Sequence, residues 1–414
     1  MDITIDHARK RIVAIREEIE RLKQSEFPYM HSRDALDLLA KKFEHQQSVL
    51  EKISPSAPPD VILNACSISV YQLFLYVPIL GFILRSTNIR NAFEAYAPLL
   101  RLARSILGDK TKLIISSEWA YSPHVYQSIT DLPDFVLIGL PAPESANPLL
   151  IPLAGHELGH AVWKSEGFAT KFEKQIADGI LKEITEKRWK EYEAAFPQAK
   201  KEHYNNNDIL VRPIWLTAYT WALRQVEEIF CDIFGVCLFA ESYLRAFEYL
   251  IAPGSTGERT VLYPNMARRV SHLLEAAKQL SVAVELGYVT RFRTEDEPKE
   301  STTKLLVSTA DSVSATLVPA LITQVVDIAR SRTIPQRDVA RVEEIRAGFS
   351  KVIPTAKAFY VTDIINAGWI CYHDTELWKS FQQIQEENKG RVLKDLMLKS
   401  LEVSETFERL REPQ

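Results

Sequence analysis

Near the start of the chain, apolar residues recur at alternating three- and four-residue steps. The first series is Ile5, Ala8, Ile12, Ile15, Ile19 and Leu22, and the second is Leu36, Leu39, Phe43, Gln46, Leu50 and Ile53. This spacing lines up one narrow seam on each of two helices. SEFPYMHSRD lies between them, with a proline and polar residues, so a helical hairpin is predicted. The seams pack on each other or on the body, or the hairpin docks a partner protein. SPSAPPD (54–60) is a break. From Val61 to Leu84 there is no charged residue, and the run is long enough to cross a bilayer. Asn64, Ser67, Ser69, Gln72, Pro78 and Gly81 interrupt it, and no cluster of positive charges flanks it. A buried core helix broken near Pro78 is therefore expected, in preference to a membrane contact. Helical patterning continues to about Leu107.

The texture then changes. TKLIISS (111–117) and DFVLIGL (134–140) are apolar, β-branched runs bounded by turn formers, and read as strands. PAPESANP (141–148) is a loop, and Pro148 or Pro152 suits a first helical turn. Residues 168–204 read as a charged, exposed helical excursion ended by NNND (205–208). A strongly apolar helix follows from about Pro213 to Ala240. APGSTGE (252–258) is a loop, TEDEPKEST (294–302) a linker, and the remainder helical. The fold class is mainly α with a small β-sheet (α+β). Three regions are expected: an N-terminal helical region (1–109), a central domain (110–293) and a C-terminal helical region (294–414).

Charge and cysteine content narrow the function. The 414 residues carry 50 Lys plus Arg against 54 Asp plus Glu, a formal net charge of −4. No basic excess exists to neutralise a phosphate backbone, which argues against nucleic acid as a partner. The four cysteines, Cys66, Cys231, Cys237 and Cys371, form no C-x-x-C pair. The charged, helical start has no apolar signal core, so a cytoplasmic protein is expected.

Chemistry enters at His156-Glu157-Leu158-Gly159-His160. Helix positions four apart share one face, so two imidazoles one turn apart can hold one Zn²⁺. Glu157 stands beside the first of them, where a carboxylate can act as general base. Ala154, Gly155, Gly159 and Ala161 are small and admit a second helix close to the metal. A hydrolytic zinc site needs a third protein ligand and an open position. Trp163 and Glu166 replace the glycine and histidine of the metzincin pattern. Downstream, RQVEEIFCDIFGV carries Glu228 and Asp232 four apart within an apolar run, and buried carboxylates need partners or a metal. Glu228 is assigned as the third ligand. Asp232 is assigned to the non-ligating nitrogen of a zinc histidine. Cys231 is read as core.

HELGH followed by Glu228-x-x-x-Asp232 resembles the gluzincins, the zinc-metallopeptidase class that includes thermolysin. Within that class, the long spacing is similar to the CAAX prenyl endopeptidases and membrane heat-shock zinc proteases. Members of that family carry a later His-Pro with an arginine five residues after the proline. Here Tyr263-Pro264 and Arg269-Val270 match this element, with tyrosine at the histidine. The resemblance covers roughly residues 130–275. It implies a zincin-like catalytic core flanked by helical regions, with DFVLIGL as an edge strand that aligns a peptide substrate above the active-site helix. It also implies a zinc-dependent endopeptidase with Glu157 as general base. Tyr263 and Arg269 are then candidate catalytic donors to the developing oxyanion.

His272 lies nearest this third element, and His124 and His203 read as surface or loop residues. GDKT (108–111) lacks the glycine spacing of a phosphate loop. Two other readings compete: an inactive or regulatory zinc-binding protein that works through its helical flanks, and a membrane-anchored zinc protease using residues 61–84. The first leaves the carboxylate of Glu157 without a purpose.

Overall fold

The computed structural model describes residues 3–54, 56–88, 92–119, 124–126, 132–144, 147–204, 212–252 and 257–411. The expected NNND helix stop and most of the APGSTGE loop lie outside them. The chain divides into two compact units, residues 1–104 with 108–146, and 105–107 with 147–414. The sequence predicts three regions, with boundaries at 109/110 and 293/294. In the structure the strands go with the N-terminal helices, and the C-terminal helices share a unit with HELGH.

In the first unit, α1 (Ile3–Lys23) and α2 (Met30–Glu51) pack as the expected hairpin. Their seams bury Ile5, Ile12 and Ile19 with Leu36, Leu39 and Phe43. Outside the seam, Arg9 Nη2 donates to the Leu50 carbonyl at 2.7 Å. α3 (Pro59–Arg85) runs unbroken through Pro78, against the expected break. Pro78 is exposed, so the carbonyl it deprives of a donor can bind water instead. This helix is core on one face only. Ile62, Leu73, Tyr76 and Phe82 pack inward, whereas Ile68, Tyr71, Phe74 and Leu75 are exposed. α4 (Ala97–Leu107) leads to a three-stranded sheet of β1 (Lys112–Glu118), β2 (His124–Tyr126) and β3 (Phe135–Pro141).

The strand order is β1-β3-β2. β1 runs parallel to β3, with Leu113 opposite Val136 and Ile115 opposite Ile138. β2 runs antiparallel to β3, with Val125 opposite Ile138. DFVLIGL is therefore the central strand, and the edge-strand expectation is corrected. β2 has only three residues, too few to show a periodic signal, yet it pairs with the side of β3 away from β1.

The second unit is built from helices. α5 (Leu153–Ser165) carries HELGH, and α6 (Phe168–Lys182) follows it. The expected exposed excursion is partly wrong here, because Phe168, Phe172, Ile176 and Ile180 bury the inner face of α6. α7 (Trp189–Ala195) is short, and α8 (Arg212–Phe239) is the central helix, with every residue from Gln225 to Phe239 buried. An apolar surface on all sides demands neighbours on all sides. They are α5, α6, α9 (Glu241–Ile251), α10 (Met266–Gln279) and α11 (Ser301–Ser331). α12 (Val339–Phe349), α13 (Val361–His373) and α14 (Glu386–Arg411) complete the unit. Both α3 and α11 are long and apolar enough to cross a membrane by length and composition, but α11 is mostly buried. The expected linker at 294–302 is fixed to the body: Arg259 N–H donates to the Asp296 carbonyl and Asp296 N–H to the Gly257 carbonyl, each at 2.9 Å.

Candidate metal centre

The site begins with glycine. A Cβ added at Gly159 would fall 2.8 Å from Cys231 Cα, and one at Gly155 would fall 3.2 Å from Gly235 Cα. Only residues without a side chain let α5 and α8 approach this closely. The approach puts His156 and His160 of α5 beside Glu227, Glu228 and Asp232 of α8. Upstream, Asn147 caps the turn Pro148–Leu150, and Trp369 Nε1 of α13 donates to the Leu149 carbonyl at 3.0 Å. The C-terminal helices thus fix the entry to α5.

The imidazole nitrogens divide into two sets. His156 Nδ1 lies 2.9 Å from Asp232 Oδ1, and His160 Nδ1 lies 2.8 Å from Glu227 Oε1. Each ring therefore donates its Nδ1 proton to a carboxylate. The Nε2 atoms face Glu228 instead, with His156 Nε2 at 3.2 Å from Oε2 and His160 Nε2 at 3.8 Å from Oε1. The two rings meet edge to face, centroids 5.0 Å apart. Glu157, one position along the helix, is buried with 3% of its surface exposed.

Asp232 is the most heavily partnered group. Arg269 Nε reaches its Oδ2 at 2.6 Å and Arg269 Nη2 its Oδ1 at 2.9 Å. The Tyr243 hydroxyl donates to Oδ1 at 2.8 Å. Burial opposes the Asp232 charge, but Arg269 and then His156 hold its carboxyl well below the usual range. Burial likewise opposes the charge of Glu228, and His156 draws its pKa down. His156 follows the same logic: burial pushes it down, and Asp232 and Glu228 raise it to about 10. The Arg269 guanidinium lies 4.9 Å from the Phe247 ring centre and 4.8 Å from that of Tyr263. It is a clamp on Asp232, so the expected oxyanion donor is here a positioning group. Tyr263 stands just before α10, which Asn265 caps through Arg268 N–H. Burial, and then Glu228, push its phenol pKa up, so the hydroxyl keeps its proton at neutral pH and can donate a hydrogen bond.

Two helpers escape sequence reasoning. Glu227 is legible only as a neighbour of Glu228. Tyr243 carries no motif, since it reaches Asp232 through the corner at Ala240, where φ is 51° and ψ −130°. That corner is held by Asn366, which accepts from Ser242 N–H and donates to the Phe239 carbonyl, both at 3.0 Å. Gly235 leaves the space for the Tyr243 ring. Of the other histidines, His272 is buried on α10 with Nε2 lacking a hydrogen bond, and burial lowers its pKa to about 4. His203 sits on the turn Lys201–His203, and the His124 side chain lies outside the described residues.

A nitrogen–nitrogen–oxygen donor set fits a divalent metal such as zinc. Glu228 Oε2 is buried without a hydrogen bond of good geometry, as a carboxylate oxygen reserved for a cation would be. Both Nδ1 atoms are held by carboxylates, the support that ligating histidines require. Cys231 competes for the third place, because its sulfur and ligand atoms of His156 and His160 all lie within 4.8 Å of one another. Its thiol is pressed against Gly159. Burial and then the surrounding carboxylates, Glu228 first, push its pKa well above the ordinary value. Glu228 is the group that both Nε2 atoms face. No family model, curated protein or solved structure matches the chain.

Proposed function

We propose that the chain is a zinc-dependent endopeptidase of gluzincin type, with His156, His160 and Glu228 holding the metal. One observation carries this reading: both histidine Nε2 atoms turn toward Glu228 while both Nδ1 atoms are held by carboxylates. When bound, zinc supplies Lewis-acid chemistry, acidifying water and polarising a carbonyl. Glu157 takes the proton of the attacking water and delivers it to the leaving amine. Asp232 and Glu227 fix the tautomers of His156 and His160, so that Nε2 is the ligating atom of each. Arg269 and Tyr243 hold Asp232 in place. Tyr263 offers a hydroxyl donor to the oxyanion. No serine or cysteine nucleophile takes part. The four cysteines are buried and free, which fits a reducing compartment such as the cytoplasm.

The test is hydrolysis of an unbiased peptide mixture by the purified chain. Cleavage should stop when a chelator strips the metal and return with added zinc. A folded, zinc-loaded chain that cleaves nothing in the mixture would favour the regulatory, non-catalytic reading.

A further inference from the structure

The loop from Gly257 to Asn265 has no regular secondary structure beyond one bridge, Glu258 with Asp296, yet it delivers Tyr263 to the cluster. Inside it sits a buried cation. The Arg259 side chain is 1% exposed, and its partner Asp311, from α11, is 3% exposed. The pair is bidentate: Nη1 reaches Oδ2 at 2.6 Å, and Nη2 reaches Oδ1 at 2.9 Å. Arg259 Nη2 also donates to the Tyr263 carbonyl at 2.9 Å. One guanidinium thus joins α11 to the backbone of Tyr263. A second tie runs beside it, where Ser314 Oγ donates to Gln225 Oε1 at 2.9 Å and Gln225 Nε2 donates to the Val261 carbonyl at 3.4 Å. At the far end, Glu295 accepts from Met266 N–H at 2.9 Å.

Burying an ion pair is a costly way to hold a surface loop, because desolvation consumes most of the attraction. Apolar packing would do for stability alone. A planar fork gives direction, which apolar packing does not. We infer that Arg259 and Asp311 are positioning residues that fix Tyr263 against Arg269, the clamp on Asp232. This deepens the peptidase reading and rests on it. α11, expected to lie outside the catalytic domain, thereby becomes part of the catalytic apparatus. The phenol is set by a chain of contacts running Asp311, Arg259, the Tyr263 backbone and the Tyr263 ring, which lies against Arg269.

The test compares Arg259→Met/Asp311→Leu with the intact chain. The double replacement removes both charges and fills the same space, so that the fold survives. Arg259→Lys is the second variant; it keeps the charge and loses the fork. Zinc content, kcat and KM are measured, together with the tyrosine ring NMR signals of the zinc-loaded protein. The Tyr263 signal is identified by its loss in Tyr263→Phe. The inference expects zinc content and KM near the intact values, kcat lower by roughly tenfold or more, and a shifted Tyr263 signal. In the Tyr263→Phe background, the double replacement should lower kcat less than about twofold further, since there is no hydroxyl left to misplace. Full additivity of the two losses, or an unshifted Tyr263 signal in both variants, would overturn it. Should even the intact chain hydrolyse nothing, the peptidase reading fails, and the Tyr263 signal decides the positioning claim by itself.

Discussion

Glu227 and Glu228 are neighbours in sequence and differ in task because adjacent helix positions point about 100° apart. Glu228 faces both Nε2 atoms, and Glu227 takes His160 Nδ1. Glu228→Ala should therefore abolish zinc binding. Glu227→Gln should weaken it roughly ten- to a hundredfold, as loss of a supporting carboxylate does. Cys231→Ser should leave the affinity close to intact. Cobalt substitution checks the assignment directly, since a sulfur-to-cobalt charge-transfer band in the near ultraviolet would move the third ligand from Glu228 to Cys231. Ala240 gives a second expectation at this scale. Its backbone, at φ 51° and ψ −130°, is a conformation that glycine tolerates and alanine resists. Ala240→Gly should raise unfolding stability by about 1 kcal/mol if Tyr243 keeps its bond to Asp232. Loss of stability on thermal or urea unfolding would remove strain from the account of this corner.

At the scale of elements, the site depends on how closely α5 and α8 approach. A methyl group at Gly159 would meet the Cys231 backbone at 2.8 Å, and backbone cannot rotate away. Gly159→Ala should cost about 1–3 kcal/mol of stability and lower zinc affinity, because parting the helices parts the histidines from Glu228. Full zinc affinity in the Gly159→Ala protein would show that this contact yields. Away from the site, α13 carries Asp363 in its first turn, buried and accepting at 2.9 Å from the N–H of Asp338, the residue that caps α12. Burial pushes its carboxyl up to about 6. Here the native state holds a proton that the unfolded chain has already released above about pH 4. Stability from this group is therefore present at low pH and declines as pH rises through about 6. Asp363→Asn keeps the acceptor and should flatten that decline. Equal slopes for both proteins in calorimetry between about pH 4 and 7 would contradict it. The helices themselves were legible because long amphipathic periods are redundant signals. The Ile5–Leu22 and Leu36–Leu50 seams are examples, and both are buried. α3 shows the limit: an uncharged sequence does not say which of its faces is covered, and Phe74 stays exposed while Phe82 is fully buried.

For the whole molecule, local sequence could name the His156, Glu157 and His160 motif, since five consecutive residues carry it. It could also pair Glu228 with Asp232, because one helical turn fixes their common face. Other features come from long-range packing. The three-residue β2 is too short for a periodic signal, while the Arg269 clamp and the Asn366 bonds that hold the Tyr243 corner come from elements distant in sequence. The same packing joins the C-terminal helices to the HELGH unit, with α11 lying along α8 and Trp369 fastening the turn before α5. These supports prepare one cluster, and the account turns on whether it is a hydrolytic zinc centre. The most direct measurement is zinc content and peptide hydrolysis of the intact chain against Glu157→Gln, prepared identically. The account predicts one zinc per chain in both proteins and hydrolysis only by the intact one, because the substitution removes the base and no ligand. A folded intact chain without zinc after zinc addition, or equal hydrolysis by the two proteins, would contradict it.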